Sequence, residues 1–129
     1  MELLYIRSES FDNDHTYIDL GPEALMIDRI FSKRHDIKFI DTGGNVTNIR
    51  RALETAHHLF VFHISAHGNP RGIVLEDSRG SGTHEVSADE LISFIRQRAP
   101  RLLVLAACQS MILAREVLPL GLVPHVIAT

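Results

Sequence analysis

The only cysteine and one of the eight histidines each follow a strongly apolar segment of the chain. His67 comes shortly after residues 59–64, and Cys108 comes shortly after residues 102–106. Nearly continuous apolar segments are typical of parallel strands buried on both faces, and functional groups gather at the carboxyl ends of such strands. If the two strands are neighbours, the imidazole and the thiol approach each other as base and nucleophile. The spacing therefore predicts nucleophilic catalysis by Cys108 and His67.

Two neighbouring features favour this chemistry. Cys108 precedes a predicted helix at 111–118, and a thiolate near the positive end of a helix dipole is stabilised. Gly68 lacks a side chain, so its backbone N–H can come close to a substrate carbonyl. Each residue alone has an ordinary explanation, since a lone cysteine is usually a small buried hydrophobe and a histidine after a strand is usually a loop or core residue. Their joint placement favours the catalytic interpretation.

Predicted strands and helices alternate along the chain, and these elements must position the two residues. Such alternation favours an α/β fold with a mostly parallel sheet and right-handed crossovers. A polar turn between two short apolar segments predicts an inserted β-hairpin. We expect a single domain over residues 1–129. The predicted strands span 3–6, 37–40, 59–64, 102–106 and 123–128, the hairpin joins 72–75 to 83–86, and helices begin near Gly21, Asn45, Ser87 and Met111.

The first helix and the segment after the second strand carry local signals. Pro22 and the acidic Glu23 mark the first turn of a helix that is expected to run to about His35, with apolar side chains at 25, 26, 30 and 31. Residues 41–45 read Asp-Thr-Gly-Gly-Asn; the first four are expected to stop the second strand, and Asn45 or Thr47 is expected to cap the next helix. Residues 41–45 could cradle a phosphate before a helix, although a turn followed by an N-cap is the simpler explanation.

The composition argues against several partners. Thirteen Lys+Arg against sixteen Asp+Glu give a net charge of −3, which does not suit nucleic-acid binding through bulk charge. The longest apolar segments, such as 102–108, are too short to cross a bilayer, and the N-terminus lacks the basic region of a signal peptide. One cysteine can form neither an internal disulfide nor a thiolate-rich zinc site. We therefore expect a cytoplasmic protein that uses neither nucleic acid nor membrane.

No metal or cofactor is expected either. His63 and His67 are four residues apart, which on a helix would suit a chelating pair. On a strand the same spacing separates them by roughly 13 Å, too far for a shared zinc ion.

Two longer motifs around the candidate residues resemble a known family. The segment Ile-Ser-Ala-His-Gly at 64–68 resembles the strand–His–Gly element of caspase-like cysteine proteases, and Leu-Val-Leu-Ala-Ala-Cys-Gln-Ser at 103–110 resembles their strand–Ala–Cys element. More narrowly, the pattern is similar to CHAT domains, the bacterial caspase-like domains often attached to tetratricopeptide repeats or sensor modules. The segments 4–9, 72–77 and 86–91 also fit the spacing of that family, so the similarity spans most of the chain.

The chain departs from the eukaryotic caspase signature Gln-Ala-Cys-[Arg/Gln/Gly]-Gly. Ala106 replaces the first Gln and Ser110 the last Gly, so the resemblance does not imply caspase specificity. The family's domain also continues with further helices and strands beyond the strand that follows the nucleophile. This chain is therefore expected to lack the C-terminal part of the domain.

The resemblance implies a catalytic dyad within a three-layer αβα fold, caspase-like and with a flavodoxin-like strand order. His67 would orient the substrate and shuttle protons, and Cys108 would attack the scissile carbonyl as a thiolate. The backbone N–H groups of Gly68 and Cys108 would hold the developing oxyanion. The substrate would be a protein or peptide, and a regulatory domain or partner chain is expected to complete the sheet.

In this family the loop after the first strand helps line the primary specificity pocket. That loop here holds Glu9, Asp12 and Asp14, which would favour a basic residue before the scissile bond, although a solvated acidic loop is the simpler explanation of these charges.

Two other functions stay open. A non-catalytic caspase-like module that binds a partner would keep the fold while its groove is incomplete. A flavodoxin-like receiver or nucleotide domain would need a phosphate loop or an acidic cluster at the end of the first strand, and only Asp12 and Asp14 point that way. The His67-Gly68 pair and Cys108 favour a cysteine endopeptidase that forms part of a larger regulated protein.

Overall fold

A computed structural model describes residues 1–9, 18–79 and 82–129 of the protein. In chain order its strands are β1 (Glu2–Arg7), β2 (Lys38–Gly43), β3 (Leu59–Ser65), β4 (His67–Asn69), β5 (Gly72–Glu76), β6 (Thr83–Val86), β7 (Leu102–Ala106) and β8 (His125–Ala128). The helices are α1 (Gly21–Phe31), α2 (Val46–Thr55), α3 (Ala88–Gln97) and α4 (Met111–Val117), and a 3-10 turn at Leu118–Leu120 follows α4.

The larger sheet is parallel throughout and confirms the predicted fold class. Its five strands lie in the order β2-β1-β3-β7-β8, which is the flavodoxin-like order once the inserted strands are set aside. The strands that precede the two candidate catalytic residues are neighbours, as the argument from spacing required. Ser65, the last residue of β3, lies beside Ala106, the last residue of β7.

The inserted element is a three-stranded antiparallel sheet rather than a simple hairpin. β5 and β6 form the predicted hairpin, with Val74 beside Glu85. β4 begins at His67 and adds a third strand against β5. The sequence did not predict β4, because three residues are too few to show an alternating apolar pattern. Residues 80 and 81, in the turn of the hairpin, lie outside the described residues.

Helices cover both faces of the parallel sheet and give the predicted three layers. On one face, Ile6, Phe62 and Leu103 join buried side chains of α2, α3 and α4 in the larger core. On the other face, α1 packs through Ala24 against Tyr5 and its neighbours. Because successive side chains of a strand point to opposite faces, β1 supplies both layers. Each large apolar side chain that is fully buried stabilises the fold by roughly 1.5–3 kcal/mol.

Helix α1 begins where the sequence predicts but buries a different face. It ends at Phe31 rather than near His35, and Ala24 is its only buried residue. Apolar residues occur on both flanks of this helix, so its hydrophobic pattern does not indicate which flank contacts the sheet. The flank that does so carries Ala24, Ile27 and Phe31. The predicted apolar positions that instead stay more than half exposed are Leu25, Met26 and Ile30.

The segment between β2 and α2 is a strand end followed by a helix cap. β2 runs on to Gly43, so the prediction that residues 41–44 stop the strand was wrong. Of the two candidate caps, Asn45 and Thr47, it is Asn45 that caps α2, by accepting the backbone N–H of Asn48 at 2.8 Å. A Cβ atom at Gly44 would lie 2.6 Å from the carbonyl oxygen of Arg7, so close packing explains this glycine. In the part of the chain that the structure describes, no helix has the length and apolarity needed to cross a membrane.

Candidate active site

Cys108 lies in a turn directly after β7, at the carboxyl edge of the parallel sheet. The turn spans residues 107–110 and leads into α4, and the cysteine side chain is exposed. At the neighbouring strand, Ala66 separates β3 from β4, which begins at His67. The backbone N–H of Ala66 donates to the carbonyl of Ala106 at 3.3 Å. The two strands therefore carry both candidate residues to the same edge of the sheet.

Gly68 brings the two segments into direct contact. A Cβ atom at this position would lie 2.2 Å from the carbonyl oxygen of Cys108 and 3.1 Å from its backbone nitrogen. The first of these distances is far below van der Waals contact, so only a glycine lets β4 lie so close to the Cys108 backbone. The need for glycine here is thus explained by packing between the two segments.

His67 sits on ordered backbone next to this contact. Its Cα is one peptide unit, about 3.8 Å, from the Cα of Gly68, and the residue is partly buried. It pairs with Val74 in the ladder between β4 and β5. The imidazole is therefore anchored on a short strand, and its backbone is held on one side by that ladder.

His63, the other histidine considered for a chelating pair, packs against Tyr5. It lies within β3, and its ring meets Tyr5 edge-on at a centroid distance of 5.0 Å. Within the described residues, no group of three or more His, Cys, Asp or Glu side chains is placed to hold a metal ion.

Hydrogen bonds from Ser110 and Thr129 hold the Cys108 turn in place. The buried Ser110 Oγ donates to the carbonyl of Leu105 at 2.8 Å and accepts the backbone N–H of Thr129 at 3.0 Å. Thr129 Oγ1 donates to the carbonyl of Ala107 at 2.9 Å. These bonds fix the turn on both sides of the cysteine. In the sequence, Ser110 stood out only as a departure from the caspase signature.

Gln109 turns the chain sharply after the cysteine. Its φ angle of 60° makes it the one non-glycine residue with positive φ in the described parts of the chain. This left-handed conformation costs roughly 1–2 kcal/mol for a residue with a Cβ atom. Such strain persists only where the surroundings impose it, and here the bonds of the adjacent Ser110 do so.

An open cavity of about 320 Å³ lies beside Cys108. Helix α1 contributes Glu23 to its lining, and the end of β3 contributes Ser65. Most of the remaining lining is apolar. It consists of Ile18, Leu20, Ala66, Ala106 and Ala107, with Thr129 beside them.

A hydrogen-bonded network forms the polar wall of this cavity. The buried Ser65 Oγ donates to Glu23 Oε1 at 2.8 Å. His63 Nε2 lies 3.1 Å from Ser65 Oγ and 3.4 Å from Glu23 Oε1. Burial lowers the pKa of His63, and the Glu23 carboxylate opposes that change only in part. The imidazole is therefore neutral at neutral pH and does not offset the charge of the carboxylate.

Tyr5 packs behind this network with an unpaired hydroxyl. Burial raises the pKa of Tyr5 to about 12, and the nearby Ser65 hydroxyl acts in the opposite direction. Within the described residues, the buried Tyr5 hydroxyl makes no hydrogen bond. A buried polar group without a partner costs about 1–3 kcal/mol.

The carboxylate beside Cys108 is not that of Glu9, which was expected in the specificity pocket. Glu9 accepts the backbone N–H of Leu20 at 2.9 Å and lines a separate cavity with Arg7. Asp12 and Asp14 lie outside the described residues. The carboxylate on the wall is Glu23, whose only sequence signal was that of an acid in the first turn of α1.

Comparison with known proteins identifies one family. The family model for the CHAT domain matches residues 18–123, which is well over half of the chain. The matched range includes His67, Gly68 and Cys108. None of the curated protein sequences matches the chain.

Proposed function

Because this chain belongs to the CHAT domain family, which is related to caspase-like proteases, we propose that it is a cysteine endopeptidase domain that uses Cys108 and His67. The observation that carries the proposal is the contact between Gly68 and the Cys108 backbone, which holds the strand of the histidine against the turn of the cysteine. The exposed thiol and the cavity beside it add a nucleophile that substrate can reach.

In the proposed reaction, His67 removes the proton of the Cys108 thiol, and the thiolate attacks the carbonyl carbon of a peptide bond. The carbonyl electrons move to oxygen, which becomes an oxyanion. When this intermediate collapses, the C–N bond breaks, and the His67 imidazolium gives its proton to the departing amine. Water, deprotonated by His67, then hydrolyses the thioester and restores the thiol.

The backbone N–H groups of Gly68 and Cys108 are the proposed donors to the oxyanion. Support comes from their neighbouring positions, since the Cys108 nitrogen lies against Gly68. A preorganised donor of this kind contributes about 3 kcal/mol to transition-state stabilisation. Both donors belong to constrained backbone, one in a strand ladder and one in the turn that Ser110 holds.

Proteolysis of a peptide and protein mixture tests the proposal, with new termini detected by mass spectrometry. The wild type should produce new termini, and Cys108→Ala should produce none. The unfolding midpoint of this variant should hardly change, because an exposed thiol leaves little cavity when it is removed. Equal cleavage by the wild type and Cys108→Ala would refute the proposal.

A second candidate function is that of an interaction module whose sheet is completed by a regulatory domain or a partner chain. It is favoured by β8, which within the described residues pairs only with β7. The apolar Ile127 on this strand is 56% exposed. An edge strand offers free backbone groups to another strand. Light scattering over a range of protein concentrations tests the simplest partner, a second copy, because association should then be lost in Ile127→Lys.

A further inference from the structure

The cavity beside Cys108 carries the negative charge of the Glu23 carboxylate. Glu23 is 36% exposed, and its carboxylate is held in place by the buried Ser65. Within the described residues, no arginine or lysine forms a salt bridge with it. Its other polar neighbour is His63, which is uncharged at neutral pH because burial lowers its pKa.

The separation between this carboxylate and Cys108 suits a long side chain. Ser65, which binds Glu23, lies beside Ala106 in the parallel register, and neighbouring strands are about 4.8 Å apart. Cys108 follows two residues later, in the turn after the strand, and lines the same cavity as Glu23. A substrate whose carbonyl carbon is at Cys108 therefore reaches Glu23 through a side chain that extends across this cavity.

We infer that Glu23 is a specificity-determining residue, which selects a lysine or arginine side chain on the substrate residue that precedes the scissile bond. The inference rests on the proposed endopeptidase function. The apolar walls would contact the aliphatic stem of such a side chain, and the carboxylate would bind its charged head. An acidic side chain would be repelled, and a short one would not reach.

Electrophilic peptide probes test this selection directly. Acyloxymethyl ketones that differ only in the residue before the reactive carbon would carry lysine, arginine, norleucine or aspartate, and labelling of Cys108 would be followed by intact-protein mass. Norleucine keeps the aliphatic stem of lysine without its charge. On the wild type, the lysine and arginine probes should react at least about tenfold faster than the norleucine probe, equivalent to about 1.4 kcal/mol. The aspartate probe should be the slowest.

Glu23→Gln removes the charge while keeping an oxygen that accepts the hydrogen bond from the Ser65 hydroxyl. This variant should abolish the preference of about tenfold for lysine over norleucine. The matched control is Asp28→Asn, which removes the same charge from the same helix but lines a different cavity. An unchanged lysine preference in Glu23→Gln, or an equal loss in Asp28→Asn, would overturn the inference.

A binding measurement separates this inference from the proposed reaction. Cys108→Ala would be titrated with acetyl-lysine methylamide and acetyl-norleucine methylamide, and the NMR shifts of the Ser65 and Ala107 amides would be followed. Tighter binding of the lysine compound that is lost on adding Glu23→Gln supports the inference even if no probe reacts with the wild type. Equal binding of the two compounds, or no binding of either, overturns it even if Cys108 and His67 prove catalytic.

Discussion

Replacing Gly68 with alanine would place a Cβ atom inside the backbone of the Cys108 turn. The new atom would lie 2.2 Å from the carbonyl oxygen of Cys108, whereas Cβ atoms essentially never come within 3.0 Å of another atom in this way. Neither partner is a flexible side chain, because β4 is held in a ladder and the turn is held by Ser110. One of the two segments must therefore move by about 1 Å.

We expect Gly68→Ala to lower the reactivity of Cys108 more than the stability of the fold. A misplacement of about 1 Å can lower a rate by about 100-fold. Overpacking lowers the free energy of unfolding by about 1–3 kcal/mol. Alanine also reduces the conformational entropy of the unfolded chain, which offsets about 0.4–1 kcal/mol of this loss. We therefore expect Gly68→Ala to lose about 100-fold in the labelling of Cys108 by an electrophilic peptide probe. Its free energy of unfolding should fall by only about 1–2 kcal/mol.

Labelling rates and urea denaturation, measured on the same preparations, check this prediction. Gly72→Ala is the matched control, because its Cβ atom would lie 2.0 Å from the carbonyl oxygen of Val86, in the same small sheet but away from Cys108. It should lose stability and keep the labelling rate. Labelling of Gly68→Ala at the wild-type rate, or an equal loss of labelling rate in both variants, would contradict this prediction.

Three further substitutions test the surroundings of the site. Ser110→Ala leaves the Leu105 carbonyl and the Thr129 N–H without this partner, so urea denaturation should show that the free energy of unfolding falls by about 1–3 kcal/mol. An unchanged free energy of unfolding would mean that these hydrogen bonds contribute little. Tyr5→Phe removes a hydroxyl that has no partner and should raise the free energy of unfolding by about 1 kcal/mol, whereas a decrease would show that the hydroxyl is bonded. Because burial lowers the pKa of His63, the unfolded chain binds this proton more readily, and stability should decline as the pH falls below about 6.5. Denaturation at several pH values should show a smaller decline in His63→Gln, and an equal decline would contradict this assignment.

The central strands could be predicted from the sequence because they are buried on both faces. β7 coincides with the predicted 102–106, and β3 ends one residue after the predicted 59–64. β4 could not be found this way, because its pairing with β5 depends on contacts rather than on its own composition. The buried face of α1 was missed because apolar residues lie on both flanks of that helix. The flank that packs against the sheet carries Ala24, with Ile27 and Phe31 beside it.

In the candidate site as well, residues that follow local patterns could be predicted from the sequence, whereas contacts between distant residues could not. His67 and Cys108 could be placed at one edge from the rule that parallel strands bring their carboxyl ends together. Glu23 reaches Ser65 across 42 residues of sequence, and Ser110 reaches Thr129 across 19. Neither a periodicity nor a local motif predicts contacts between residues that far apart in sequence. The hydrogen bonds of the cavity wall and those that hold the Cys108 turn are therefore found only in the folded structure.

The most direct test of the account is the alkylation rate of Cys108 in the wild type and in His67→Ala. His84→Ala is the matched control, since His84 lies in the same small sheet and pairs with Glu90 at 2.8 Å. If His67 activates the thiol, the wild type and His84→Ala should react faster than the urea-unfolded chain, and His67→Ala should lose that advantage because the members of a dyad act as a unit. Equal rates in the wild type and His67→Ala would contradict the dyad.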